Sequence, residues 1–152
     1  MTLFRNRSNA NNSRKRVIRT CAEGEVVDIS ASKNPAIASK VLGEGFCVLC
    51  SSPEIRAPIA GTVTDISDKG HTYTISSPDG VCLLVCINAD SRSEELEPLV
   101  EAGQVLSGDE VLCKKESAEA AVIVTNPEIM YKFRIGIGKT KTPEDGVIIY
   151  EL

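Results

Sequence analysis

Tryptophan is absent from this 152-residue chain, aromatic residues make up only 4% of it, and there is one histidine, His71. With so few rings, a core must be filled by Val, Ile, Leu and Ala. The 42% hydrophobic content is enough to do so for one ordinary domain. No apolar run reaches the roughly 18 residues of a membrane helix. The basic N-terminus lacks an apolar stretch and a small-residue cleavage site, so it does not read as a signal peptide. A cytoplasmic protein is expected. In that setting the six cysteines read as reduced thiols. A single histidine disfavours the zinc peptidases that need several. G-x-S-x-G, G-x-x-x-x-G-K-[ST] and H-E-x-x-H are all missing, which removes the usual hydrolase, nucleotide and zincin signatures.

Acidic residues are missing from residues 1 to 19, which carry Arg5, Arg7, Arg14, Lys15, Arg16 and Arg19. The remainder has 11 basic residues against 21 acidic ones. An acidic body repels nucleic acid, whose binding rests on Lys and Arg at phosphates, so no nucleic-acid partner is expected. The stretch at residues 5 to 16, RNRSNANNSRKR, has almost nothing to bury and reads as disordered. A flexible basic arm over 1–19 and one domain over 20–152 are the expected organisation. With Leu3 and Phe4, the arm could tether weakly to an anionic membrane surface. A plain floppy terminus is the simpler alternative.

Eleven glycines and seven prolines break the rest into short strands. Strands are predicted near 25–29, 46–50, 62–66, 72–76, 81–87, 110–114, 121–125, 132–136 and 147–151. Ser77, Pro78, Asp79 and Gly80 supply hairpin chemistry between two of them. Short helical turns are expected over 35–41, over 93–102 despite Pro98, and after Asn126, a candidate cap with Pro127 at the first helical position. This pattern predicts an all-β sandwich or barrel with few short helices.

Few residues suggest chemistry. His71 sits between a glycine and a strand, where a scaffold can present a side chain to solvent. A lone histidine of this kind is also often plain surface. On a strand, Cys82, Leu84 and Cys86 share one face. Both sulfurs could be small buried hydrophobes, the common fate of free cysteine. Cys47 and Cys50, three apart on a strand, point to opposite faces and do not form a metal pair by themselves. Cys21 and Cys113 look incidental.

Several segments taken together resemble one family. GEVVDIS with AIASKVLGEGFCV, RAPIAGTVTDI, GHTYTISSPDGVCLLVCINAD, EAGQVLSGDEVL and AVIVTN follow the order and spacing of the glucose-type enzyme IIA of the bacterial sugar phosphotransferase system, from about Gly24 to the C-terminus. The resemblance implies an antiparallel β-sandwich with Greek-key and jelly-roll connections. It also implies a phosphocarrier that takes a phosphoryl group from the histidine carrier protein and passes it to enzyme IIB of a sugar transporter, without a required cofactor. That family sets two histidines face to face. His71 matches the supporting one. Cys86 stands where the phosphorylated one belongs, in LLVCINAD against the family's L-F-V-H-F-G-I-D. Asp90 matches the shared aspartate, Asn88 replaces a glycine, and Arg92 takes a normally hydrophobic place. Ile37, Leu84, Asp90 and Arg92 are the expected partner-docking residues.

Three roles follow for the altered site. Cys86 could accept the phosphoryl group, with His71 positioning its oxygens, if its thiol is activated. The domain could instead have lost phosphotransfer and serve as a regulatory binding module. Or His71 and Cys86 could hold a metal such as zinc. A biotinyl or lipoyl carrier, suggested by APIAGTV, is disfavoured because Lys69 in SDKGHT is not in the required hairpin setting.

Overall fold

Every buried strand of this chain must pair its backbone polar groups, and alternating Val, Ile and Leu with small residues lets it do so in sheets. The computed structural model describes residues 15–88, 94–138 and 140–152. Its large sheet runs in the order β12 (Thr140–Lys141), β2 (Gly24–Asp28), β3 (Glu44–Cys50), β10 (Glu119–Val124), β7 (Cys82–Ile87), β6 (Thr72–Ser76), β5 (Gly61–Ser67) and β8 (Val105–Leu106). A smaller sheet joins β1 (Lys15–Arg19), β13 (Gly146–Glu151) and β11 (Lys132–Ile135), and a third pairs β4 (Glu54–Arg56) with β9 (Val111–Lys114). All pairings are antiparallel. The crossovers that bring β10 between β3 and β7 make this the expected sandwich.

The main core lies between the sheets. Ile18 and Ile148 from the small sheet meet Val63, Ile75, Leu83, Val85, Val122 and Val124 from the large one. Burial of such side chains at about 1.5–3 kcal/mol each is the principal stabilising term. Phe46, Tyr73 and Tyr150 are the large rings of this interior. A second, smaller cluster sits on the opposite face of the large sheet: Ile29, Ile37, Cys47, Cys86, Ala121 and Ile123, flanked by Val27 and Leu84.

Several expected features differ. Residues 15 to 19 are not part of an arm. They pair with β13 and bury Ile18, because alternation in KRVIR puts one apolar side chain inward. Residues 1–14 lie outside the described residues, and with them most of the proposed arm. No helix forms over 94–102. Pro98 cannot donate there, and the segment instead bonds sideways: Leu96 N–H to Lys69 O and Leu99 N–H to Leu112 O. The turn over 35–41 shortens to α1 (Pro35–Ala38), capped by Asn34 Oδ1 accepting from Ala36 N–H at 2.9 Å. A 3-10 turn does follow Asn126, but the Asn126 side chain does not cap it. It accepts from Cys82 N–H at 2.9 Å and donates to Gly80 O at 2.8 Å, fastening the hairpin to the end of β10.

That hairpin, Ser77 to Gly80, closes as expected, with Ser77 N–H on Val81 O at 2.8 Å and Gly80 at φ +98°. Asp79 is its hub. Burial opposes its ionisation, but hydrogen bonds from Ser77, Tyr150 and Val81 N–H, with Arg16 nearby, hold its carboxyl below the usual range.

The turn before β9 has a similar device. Partial burial would raise the Glu110 carboxyl, yet N–H groups of Ser107, Gly108 and Asp109 hold it down to about 2 from an ordinary 4.5. A depressed pKa stabilises the fold above the unfolded value, and this contribution disappears as pH falls from 4.5 toward 2. Glu110→Gln should therefore lose stability at pH 7 and show a flatter acid-denaturation curve in that window. Equal acid sensitivity in the two proteins, followed by circular dichroism, would contradict this.

Candidate functional site

The register of the large sheet builds one row of side chains. Thr72 pairs with Cys86, Cys86 with Ala121, Ala121 with Cys47, and Cys47 with Val27. Directly paired residues share a face. Cys86 and Cys47 therefore stand on the same side, separated by the small Ala121, with Leu84 and Ile123 in the next row. Cys50 points the other way and packs on the main core. The opposite orientation of Cys47 and Cys50 follows the strand alternation. Ile29, from the 3-10 turn Ile29–Ala31, and Ile37, from α1, complete the cluster.

Cys86 is only 3% exposed. Beside it lies a cavity of about 30 Å³ that Cys47 also lines, with Lys33 and Glu119 among its walls. That space is enough to hold an ordered water. Lys33 Nζ stands 3.7 Å from Glu119 Oε1. Burial, and then the negative charges of Glu119 and Asp28, push the Cys47 thiol up to about 11. This environment favours protonated sulfur. Cys47 and Cys86 are two strand spacings apart, about 9.5 Å. Disulfides need Cα atoms within about 7 Å, and none of the six cysteines is in a disulfide.

His71 follows a left-handed turn in which Gly70 has φ +84° and a Cβ would strike Leu96 O at 2.2 Å. The side chain is 1% exposed rather than presented to solvent. Its Nδ1 faces Ile87 O at 2.8 Å, and its Nε2 makes a short hydrogen bond with Glu94 O. Both partners are carbonyls, so each ring nitrogen that bonds must donate. With both ring nitrogens turned to backbone carbonyls, His71 presents neither to a metal or a phosphoryl oxygen unless the ring leaves this position. Among the described residues no group of three or more His, Cys, Asp or Glu is placed to hold a metal ion.

The expected docking residues divide. Ile37 is fully buried beneath the surface and supports the site without presenting a contact face. Leu84 is partly buried on the Cys86 face. Asp90 and Arg92 lie outside the described residues. Asn88, expected from the resemblance to stand where the family has a glycine, takes a structural place at the site. Asn88 has φ +47°, a left-handed conformation that Asn tolerates better than most residues. Its N–H donates to Glu119 O at 2.7 Å, and its Oδ1 accepts from Glu119 N–H at 3.0 Å. The signal was present in the sequence, as Asn in a glycine position.

The large sheet pairs β6, which His71 immediately precedes, with β7, which carries Cys86. This chain belongs to the phosphoenolpyruvate-dependent sugar phosphotransferase system, EIIA 1 family, whose model matches residues 16–130. Among its relatives, it is 28% identical over 139 residues to a glucose-specific EIIA component of Buchnera aphidicola, spanning 84% of this chain and 86% of that protein. It is 29% identical over 123 residues to one from Staphylococcus aureus, covering 73% and 74%. A glucose-specific EIICBA component of Streptococcus pneumoniae is 35% identical over 92 residues, 58% of this chain but only 13% of that protein. The fold matches that of glucose permease IIA from Mycoplasma capricolum with a TM-score of 0.76 at 17% identity, covering 89% of this chain and 95% of that one. No helix among the described residues is long and apolar enough to cross a membrane.

Proposed function

We propose that this chain works in a sugar phosphotransferase system as a regulatory binding domain. It docks the histidine carrier protein or an enzyme IIB, and does not hold a phosphoryl group itself. The observation that carries this reading is the environment of Cys86. Phosphoryl transfer needs an accessible thiolate in line with the donor. Cys86 is 3% exposed among Ile29, Ile37 and Ile123, and its neighbour Cys47 is pushed up to about 11. His71, the expected supporting group, has both ring nitrogens engaged by carbonyls. Leu84, Asp90 and Arg92 would form the docking face, with Ile37 as its floor. The basic N-terminal segment would add weak attraction to anionic lipid at the cytoplasmic membrane face.

The second reading, a cysteine phosphocarrier, is favoured by the cavity that reaches Cys86 and has Lys33 in its wall, a cation suited to phosphoryl oxygens. Intact mass separates the two. The chain is incubated with phosphoenolpyruvate, enzyme I and the histidine carrier protein, and binding of the carrier is measured in parallel. Unchanged mass with carrier binding that is indifferent to Cys86→Ser is the expected result. A gain of one phosphoryl group, lost in Cys86→Ser, establishes the cysteine carrier instead. Unchanged mass without binding of the carrier or of enzyme IIB removes both readings.

A further inference from the structure

A cleft of about 530 Å³ opens at the hairpin end of β6 and β7, away from Cys86. It lies near Ser77 to Gly80, while Cys86 is four residues farther along β7 than Cys82, about 13 Å at strand rise. Its size falls within the ordinary range for small-molecule sites. Arg16 and Arg19 reach it from β1. Pro58 and Ile59 give it an apolar side, and Ser107 and Tyr150 bring hydroxyls.

The charge of this cleft is unbalanced. Arg19 is half-buried, and its guanidinium makes one hydrogen bond, from Nη2 to Gly108 O at 2.8 Å. Among the described residues no carboxylate lies within 4 Å of it. Partly buried guanidinium groups are ordinarily paired, because desolvation without a partner is unfavourable. The nearby carboxylates are already engaged. Asp79 accepts from Ser77, Val81 N–H and Tyr150, and its contact with Arg16 is a loose 3.7 Å. Glu110 is taken up by three N–H groups of its own turn. Asp109 and Glu144 line an adjoining cleft on the other side of Arg19 without pairing with it. Two cations therefore face one carboxylate that is satisfied elsewhere.

We propose that this cleft binds a small organic anion, a phosphate monoester or carboxylate, with its charge between Arg16 and Arg19 and its apolar part against Pro58 and Ile59. Guanidinium groups suit this role because their planar donors match phosphate and carboxylate oxygens. The site lies apart from Cys86, at the hairpin end of β6 and β7.

The test is an amide NMR titration of the full chain with phenyl phosphate, benzoate and inorganic phosphate at constant ionic strength. Saturable shifts at Ala60, Ser77 and Gly108 are expected with at least one of the two aromatic anions, and weaker shifts with inorganic phosphate. The stronger of phenyl phosphate and benzoate identifies the preferred head group. Arg19→Gln should weaken binding about tenfold, or about 1.4 kcal/mol. Arg16→Gln, whose side chain already has a loose partner in Asp79, should weaken it less without disturbing the Gly108 turn. Cys86→Ser should leave it unchanged. Linear, non-saturating shifts with both aromatic anions, or affinities equal in wild type and both arginine variants, overturn the proposal.

Discussion

Replacing Cys86 with histidine is expected to convert a chain that keeps its mass into one that gains a phosphoryl group from the histidine carrier protein. The reasoning starts from two differences between the side chains. An ordinary thiol is only about a few per cent ionised at neutral pH, and the Cys86 pocket is apolar with Glu119 in its wall. A neutral imidazole needs no deprotonation to attack phosphorus. It also carries its outer nitrogen two bonds farther from the strand than Sγ reaches, toward the mouth of a site where the thiol is 3% exposed. The backbone position is already suitable, because the β6–β7–β10 register around residue 86 is regular. Mass spectrometry after incubation with the donor system provides the measurement, with most of the Cys86→His protein expected to be labelled. If Cys86→His stays unlabelled while the carrier still binds, loss of the acceptor cannot be the main change, and the engagement of His71 by Ile87 O and Glu94 O becomes the limiting feature.

Gly45→Ala should be among the most damaging single-methyl changes in the domain. Gly45 lies in β3 opposite Ile123, at the edge of the Cys47–Cys86 cluster. A Cβ there would stand 1.8 Å from Val122 O and 2.8 Å from its carbonyl carbon. Those atoms belong to the backbone of a central strand and cannot swing aside. The sheet would have to part between β3 and β10. Effects above about 4 kcal/mol mark this kind of forced rearrangement, and total stabilities are only about 5–15 kcal/mol. Gly45→Ala is therefore expected to be insoluble or largely unfolded. Gly103→Ala offers a control. Its φ of +93° brings backbone strain, but nothing lies within 4 Å of the added methyl, so a loss of about 1–3 kcal/mol is expected. Urea denaturation of both proteins makes the comparison. A Gly45→Ala protein within about 1 kcal/mol of wild type would refute the close approach of β3 and β10.

Much of the fold was legible because its signals are local. TYTIS and CLLVCI alternate and flank Ser-Pro-Asp-Gly, and these segments form the hairpin and share the face that carries Cys86 and Leu84. Expectations weakened where long-range contacts decide. KRVIR looks like the end of a basic arm, but Val17 and Ile18 find β13, more than a hundred residues away. The stretch around Glu95 and Leu96 carries helix-forming residues, yet its N–H groups are claimed by Lys69 and Leu112.

By itself, the sequence determined the all-β class, the antiparallel pairing of β6 with β7, and the family. These depend on periodicity, turn residues and residue identity, which any stretch of chain displays without its neighbours. Tertiary structure alone decided that His71 is buried with both ring nitrogens facing carbonyls, that Ile37 is buried beneath the Cys86 face, that Cys47 joins Cys86 across Ala121, and that no carboxylate among the described residues lies within 4 Å of Arg19. Each of these is a statement about what fills the space around one side chain. Burial, charge balance and hydrogen-bond partners are set by segments distant in sequence, and exist only after the sheets have packed.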